Sequence, residues 1–183
     1  MIIEEENEQG VFAISLVTSP ATEQKFIALS EDNKPIKLAK INEDEQLLLG
    51  LVLQPNQKIY RNDDEGEYEI FFSEATIKKA SQLYLQKGHQ HNVTLEHEEP
   101  IEGVTMVESW IVADSKKDKS NVYGYEYPVG SWMAVLKVHD KKEWDNIKEK
   151  STLSGFSLEG LFKPTAPVKM SLIDMIAEVK GLK

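Results

Sequence analysis

The stretch Leu153–Phe162, LSGFSLEGLF, decides how the chain is read. It has two readings. A serine framed by glycines suggests the nucleophile elbow of an α/β hydrolase, G-x-S-x-G. That elbow needs its second glycine two residues after the serine, and a strand–turn–helix around it. Here Gly160 stands one residue too far along, and no helix pattern follows. The period-two alternation fits better: Phe156 and Leu158 point one way, and Gly155, Ser157 and Glu159 the other. The stretch is therefore a strand with Ser157 on its polar face. A chemical role for Ser157 would require a base on a neighbouring strand, because a serine hydroxyl is too weak an acid to ionise alone.

Working outward, other apolar runs also read as strands. Val11–Val17 (VFAISLV) is apolar and β-branched and closes at TSPA. Lys25–Leu29 suggests a second short strand, and Ser30–Glu45, charged and holding Pro35, a loop. Gln46–Leu53 (QLLLGLVL) predicts a central strand with Gly50 as a bulge, and the hairpin-like loop RNDDEGE leads into a strand over Tyr68–Phe72. Ser73 as N-cap, Ile77, Ala80 and Tyr84 at helical spacing, and Gly88 just past the end predict an amphipathic helix over Glu74–Lys87. Strands follow over His91–Glu96, Val104–Ala113 and Trp132–His139. Asp140 and Glu143 have capping-box spacing ahead of a helix over Lys141–Lys150. Ser171–Val179 reads as a short tail helix. The pattern implies an α+β domain on a mainly antiparallel sheet or barrel with a few flanking helices. Residues 1–163 form the domain, and 164–183 are a linker and tail.

Composition narrows the function. The chain has 183 residues, no cysteine and a formal net charge of −10. Disulfide and thiolate chemistry are excluded. The negative charge, with Arg61 the only arginine, argues against nucleic acid as a partner. No apolar run approaches the ~20 residues of a membrane span, and the acidic N-terminus is unlike a signal peptide. The simplest expectation is an intracellular soluble protein.

Four histidines are present, His89, His91, His97 and His139. On a strand, His89 and His91 would share a face and, with His97, could bind zinc. Their plainer role is at a helix C-terminus, where a cationic side chain is favoured. His97 ends the strand NVTLEH beside a loop, a position both rigid and open to substrate.

Three blocks together resemble one family. They are GVFAISLVTSPA (Gly10–Ala21), TLEHEEPIEGVTMVESWIV (Thr94–Val112) and LSGFSLEGLF (Leu153–Phe162). The chain is similar to the capsid-maturation (prohead) serine proteases of tailed bacteriophages, of the XkdF-like kind, which look like distant relatives of the herpesvirus assemblins. The resemblance implies a herpesvirus-protease-like fold, here with its first block permuted to the N-terminus. It implies Ser157 as nucleophile and His97 as base, without a cofactor or metal. Ala13 stands where related proteases have an acidic residue, so Glu108 in the ESW triplet is the candidate third member, with a Ser–His dyad as the alternative. The implied substrates are phage scaffold, segments of the major capsid protein and the protease itself. It would act as a homo-oligomer inside the immature capsid in the host bacterial cytoplasm. Two other readings stay open: a catalytically degenerate assembly protein, and a zinc-dependent hydrolase.

Overall fold

A computed structural model describes residues 1–18, 27–28, 45–63, 66–149 and 153–165. In chain order the strands are β1 (Gly10–Val17), β2 (Ile27–Ala28), β3 (Leu47–Leu53), β4 (Ile59–Asp63) and β5 (Gly66–Ile70). Helix α1 (Glu74–Gln86) and a 3-10 turn over His89–His91 follow. Then come β6 (Val93–Leu95), β7 (Glu99–Pro100), β8 (Val104–Ile111), a second 3-10 turn over Lys119–Tyr123, β9 (Trp132–Val138), α2 (Lys141–Glu149) and β10 (Gly155–Leu161).

The strands form two four-stranded sheets, ordered β10-β1-β6-β7 and β2-β3-β9-β8, and a β4-β5 hairpin. All pairs are antiparallel except β1 with β6. The expected α+β architecture is present. The barrel is not: among the described residues the sheets are open and separate. No helix among the described residues is long and apolar enough to cross a membrane. The expected tail helix over Ser171–Val179 and most of the Ser30–Glu45 loop lie outside the described residues.

One apolar core joins the two sheets and both helices. Ile14, Leu16, Val93 and Phe156 come from the first sheet, Leu48, Val52, Ala134 and Leu136 from the second, Ile77 and Tyr84 from α1, and Trp144 from α2. A smaller cluster holding Leu49, Leu51, Val112, Tyr127 and Met133 covers the other face of β3 and β9. β3 is thus buried on both faces, which explains why its sequence is continuously apolar rather than alternating. Gly50 is not the bulge. The β3–β9 register shifts between Leu51 and Leu53 instead. Gly50 is a close approach between the sheets: a Cβ there would lie 2.6 Å from the Phe156 ring. That ring precedes Ser157 in the chain, so the contact seats the serine strand.

α1 forms as its sequence predicts. Ser73 caps it, its Oγ accepting from Thr76 N at 3.2 Å. Gly88 ends it in the left-handed region, φ 75°. Asp140 caps α2 by accepting from Glu143 N at 2.9 Å. The RNDDEGE segment is strand more than loop, with Arg61 paired to Tyr68 and Asp63 to Gly66.

Candidate active site

The two faces of β10 are those that alternation predicts. Phe156 is wholly buried in the core, and Leu158 packs against it. Ser157 and Glu159 lie on the opposite face. In register, Ser157 is opposite Ser15 and Glu159 is opposite Ala13 on β1, while Ser15 pairs with Thr94 on β6. Ser157, Ser15 and Thr94 therefore form one row across three strands. Ser15 is fully buried and Ser157 nearly so, at 8% exposure.

His97 follows β6 by two residues, in an unusual backbone. Glu96 and His97 both adopt left-handed conformations, φ 51° and 62°. Outside glycine, such a residue costs roughly 1–2 kcal/mol. Three neighbours hold this turn. Glu96 N donates to Leu16 O at 3.0 Å, and the Glu96 carboxylate accepts from Thr18 N at 2.9 Å. His97 N donates to Ser15 Oγ at 2.9 Å, and that hydroxyl donates to Thr94 O at 3.4 Å. The turn folds the imidazole back over the sheet.

The ring meets the serine strand. His97 Nδ1 lies 3.3 Å from Glu159 Oε1. The same carboxylate oxygen accepts a hydrogen bond from Thr94 Oγ1. Glu159 starts on β10 and reaches Thr94 on the far side of β1, so its side chain crosses β1 where Ala13 and Ser15 are small. The His97 and Glu159 side chains are about 41% and 31% exposed. A surface contact this open adds at most about 1 kcal/mol to stability. Among the described residues no hydrogen bond joins Ser157 Oγ to the imidazole.

Two cavities adjoin β10. One, of about 250 Å³, is largely apolar and is lined by Ser157 with Ile70, Phe72, Phe162 and Arg61. The sequence placed no arginine near the serine block; the fold brings Arg61 to it through the β4–β5 hairpin. The other, of about 820 Å³, is lined by Ala13, Thr94 and Glu159 and runs to His91, Thr105 and His139. There His91 Nδ1 and His139 Nε2 each lie 3.0 Å from Thr105 Oγ1.

The histidine triplet of the alternative zinc reading is not assembled among the described residues. His89 and His91 lie on a 3-10 turn, not a strand, so they do not share a strand face. His89 contacts Asn92, His91 contacts Thr105 and His97 contacts Glu159. Among the described residues no group of three potential ligands is placed to hold a metal ion.

Glu108 is also placed elsewhere. It lies on β8 in the second sheet, and its carboxylate is engaged by Lys119, whose ammonium sits 3.7 Å from the centre of the Trp110 ring. No contact joins it to His97 among the described residues. Glu159, which does contact His97, was visible in the sequence only as a residue on the face of Ser157. Its partner across β1 was not.

A family model described as "putative phage serine protease XkdF" matches residues 35–165. No curated protein and no solved structure matched the chain. The matched span holds His97, Ser157 and Glu159, and β1 lies outside it. Since the match covers well over half of the chain, the protein belongs to the XkdF family of phage serine proteases.

Proposed function

We propose that the protein is a capsid-maturation (prohead) serine endopeptidase in which Ser157 is the nucleophile and His97 the general base. The observation that carries this reading is the contact of the His97 ring with Glu159, two residues from Ser157 on one face of β10. Ser15, the register partner of Ser157, also accepts the main-chain N–H of His97, which supports placing base and nucleophile on one part of the sheet. The left-handed turn at His97 is a strained element of the sort found at functional sites.

In this mechanism His97 takes the Ser157 proton as Oγ attacks the scissile carbonyl. It then returns that proton to the leaving amine, and water repeats the cycle on the acyl-enzyme. Backbone N–H groups would stabilise the oxyanion. The two adjoining cavities suit an extended peptide laid across the site, with side chains entering each. The substrates would be scaffold, segments of the capsid protein and the protease's own termini, cleaved by a homo-oligomer inside the immature capsid in the host bacterial cytoplasm. Pairing of the N-terminal β1 with the serine strand is compatible with a permuted, herpesvirus-protease-like order.

A catalytically silent assembly role is the second reading, favoured by the lack of a Ser157–His97 hydrogen bond among the described residues. Catalytic hydrogen bonds often tighten only when substrate binds, so this observation weighs less than the convergence of the groups. A serine-directed phosphonate probe separates the two. Labelling of Ser157, abolished in His97→Ala, is the expected result. Processing of co-expressed scaffold at the normal rate by Ser157→Ala would sink the protease mechanism.

A further inference from the structure

The third member of the site follows from the register. Ala13 is the Cα partner of Glu159 across β1–β10. Position 13, where the resemblance implies an acidic residue, is filled by alanine, and the strand beside it presents a carboxylate directly opposite. We infer that Glu159 is the positioning residue for His97, and that it replaces the acid missing at position 13 from across the strand pair. This inference rests on the protease reading above.

Three observations carry it. Glu159 Oε1 is 3.3 Å from His97 Nδ1, the distance of a long hydrogen bond. An Nδ1–H donated to a carboxylate leaves Nε2 unprotonated, the tautomer that a base toward a serine hydroxyl requires. Thr94 Oγ1 donates to the same oxygen, so the carboxylate is held from a second side and its rotamer is restricted. Finally, Ala13 is what permits the crossing: it is the small side chain over which Glu159 must pass. A glutamate at position 13 in the present chain would compete for the space and the partners that Glu159 uses. Alanine at 13 and glutamate at 159 are therefore two halves of one arrangement.

The competing carboxylate, Glu108, is occupied by Lys119 on the second sheet. Glu96 is spent on Thr18 N, where it holds the turn. Of these three carboxylates, only Glu159 has an oxygen on the imidazole.

The test moves the carboxylate between strands. In full-length protein, Glu159→Ala lowers kcat on a peptide substrate by about 10²- to 10⁴-fold, the scale of losing an orienting acid, with KM changed little. Glu159→Gln keeps the side chain's shape and shows a similar loss. Ala13→Glu placed on Glu159→Ala restores a large part of kcat, an outcome that a merely structural role for Glu159 does not predict. A Ser157→Ala background prevents autolysis for NMR. There the downfield Nδ1–H proton of His97 is present with Glu159 and lost with Gln or Ala. A kcat within twofold of wild type in Glu159→Ala, with that proton unchanged, overturns the inference. So does loss of kcat in Glu108→Ala with retention in Glu159→Ala. Full activity in Ser157→Ala instead overturns the protease reading itself.

Discussion

Ser15 Oγ accepts the main-chain N–H of His97 at 2.9 Å, and that bond ties the histidine turn to the strand beside the candidate nucleophile. Ser15 is also the register partner of Ser157. Two serines thus stand side by side, and one of them holds the backbone of the proposed base.

That pairing separates their roles. Ser15→Ala leaves His97 N without its partner, which costs about 1–3 kcal/mol of stability. The left-handed turn then relaxes, and kcat falls by about 10- to 100-fold as the imidazole shifts. Ser157→Ala abolishes turnover with little change in stability. Urea midpoints and peptide hydrolysis on the two variants distinguish them. Equal and complete loss of activity with unchanged stability in both would contradict this division.

The contact between Gly50 and Phe156 predicts a stability effect that reaches the site. A Cβ at position 50 would lie 2.6 Å from the Phe156 ring, and the wholly buried ring has little room to give. Gly50→Val should cost about 1–3 kcal/mol, the usual range for overpacking a core. The displaced ring also drags β10, so activity should fall more than stability alone explains. Chemical denaturation with parallel kinetics at a temperature where the variant stays folded tests this. A variant as stable as wild type would show that the sheets tolerate separation.

Helix α1 should depend on its cap. Ser73 Oγ accepts from Thr76 N at 3.2 Å, and replacing an N-cap serine by alanine typically costs about 1 kcal/mol. Ser73→Ala is expected to lower the urea midpoint without altering kcat, because α1 packs on the core and not on the site face. Ser73→Asp should recover the loss, since aspartate caps as well as serine.

Stability should fall at alkaline pH. Burial pushes the Tyr125 hydroxyl up to about 12. Burial likewise raises Tyr84 and, aided by the nearby Tyr125 charge, Tyr127. An unfolded tyrosine ionises near 10. Between about pH 10 and 12 the folded chain therefore binds more protons than the unfolded one, and stability is lost as pH rises through that window. The contribution is fully present below about pH 10. Urea midpoints at pH 9 and pH 11 should show the drop, and Tyr125→Phe should lessen it. A flat profile across this range would indicate that these rings are solvated.

Much of the architecture was legible locally. The alternation in Leu153–Phe162 assigned Phe156 to the core and Ser157 to the opposite face, as found. Ser73, Gly88 and Asp140 are short-range signals, and each does in the structure what its neighbours imply. The strand expected over His91–Glu96 is present but shorter, Val93–Leu95, because His89–His91 has no periodicity of its own. The preceding left-handed Gly88 steers it into a 3-10 turn.

The sequence by itself determined the mainly antiparallel strands, the two capped helices and the face on which Ser157 lies, because those depend on side chains within a few residues of one another. It also carried the family resemblance that singled out His97. Only the tertiary structure decided which carboxylate reaches that histidine. Glu108 and Glu159 are both ordinary strand glutamates when read locally. They differ in which sheet their strands join and in what stands opposite them: Lys119 engages Glu108, whereas small Ala13 lets Glu159 cross to Thr94 and His97. Register and cross-strand neighbours are relations between distant segments, and no local pattern encodes them.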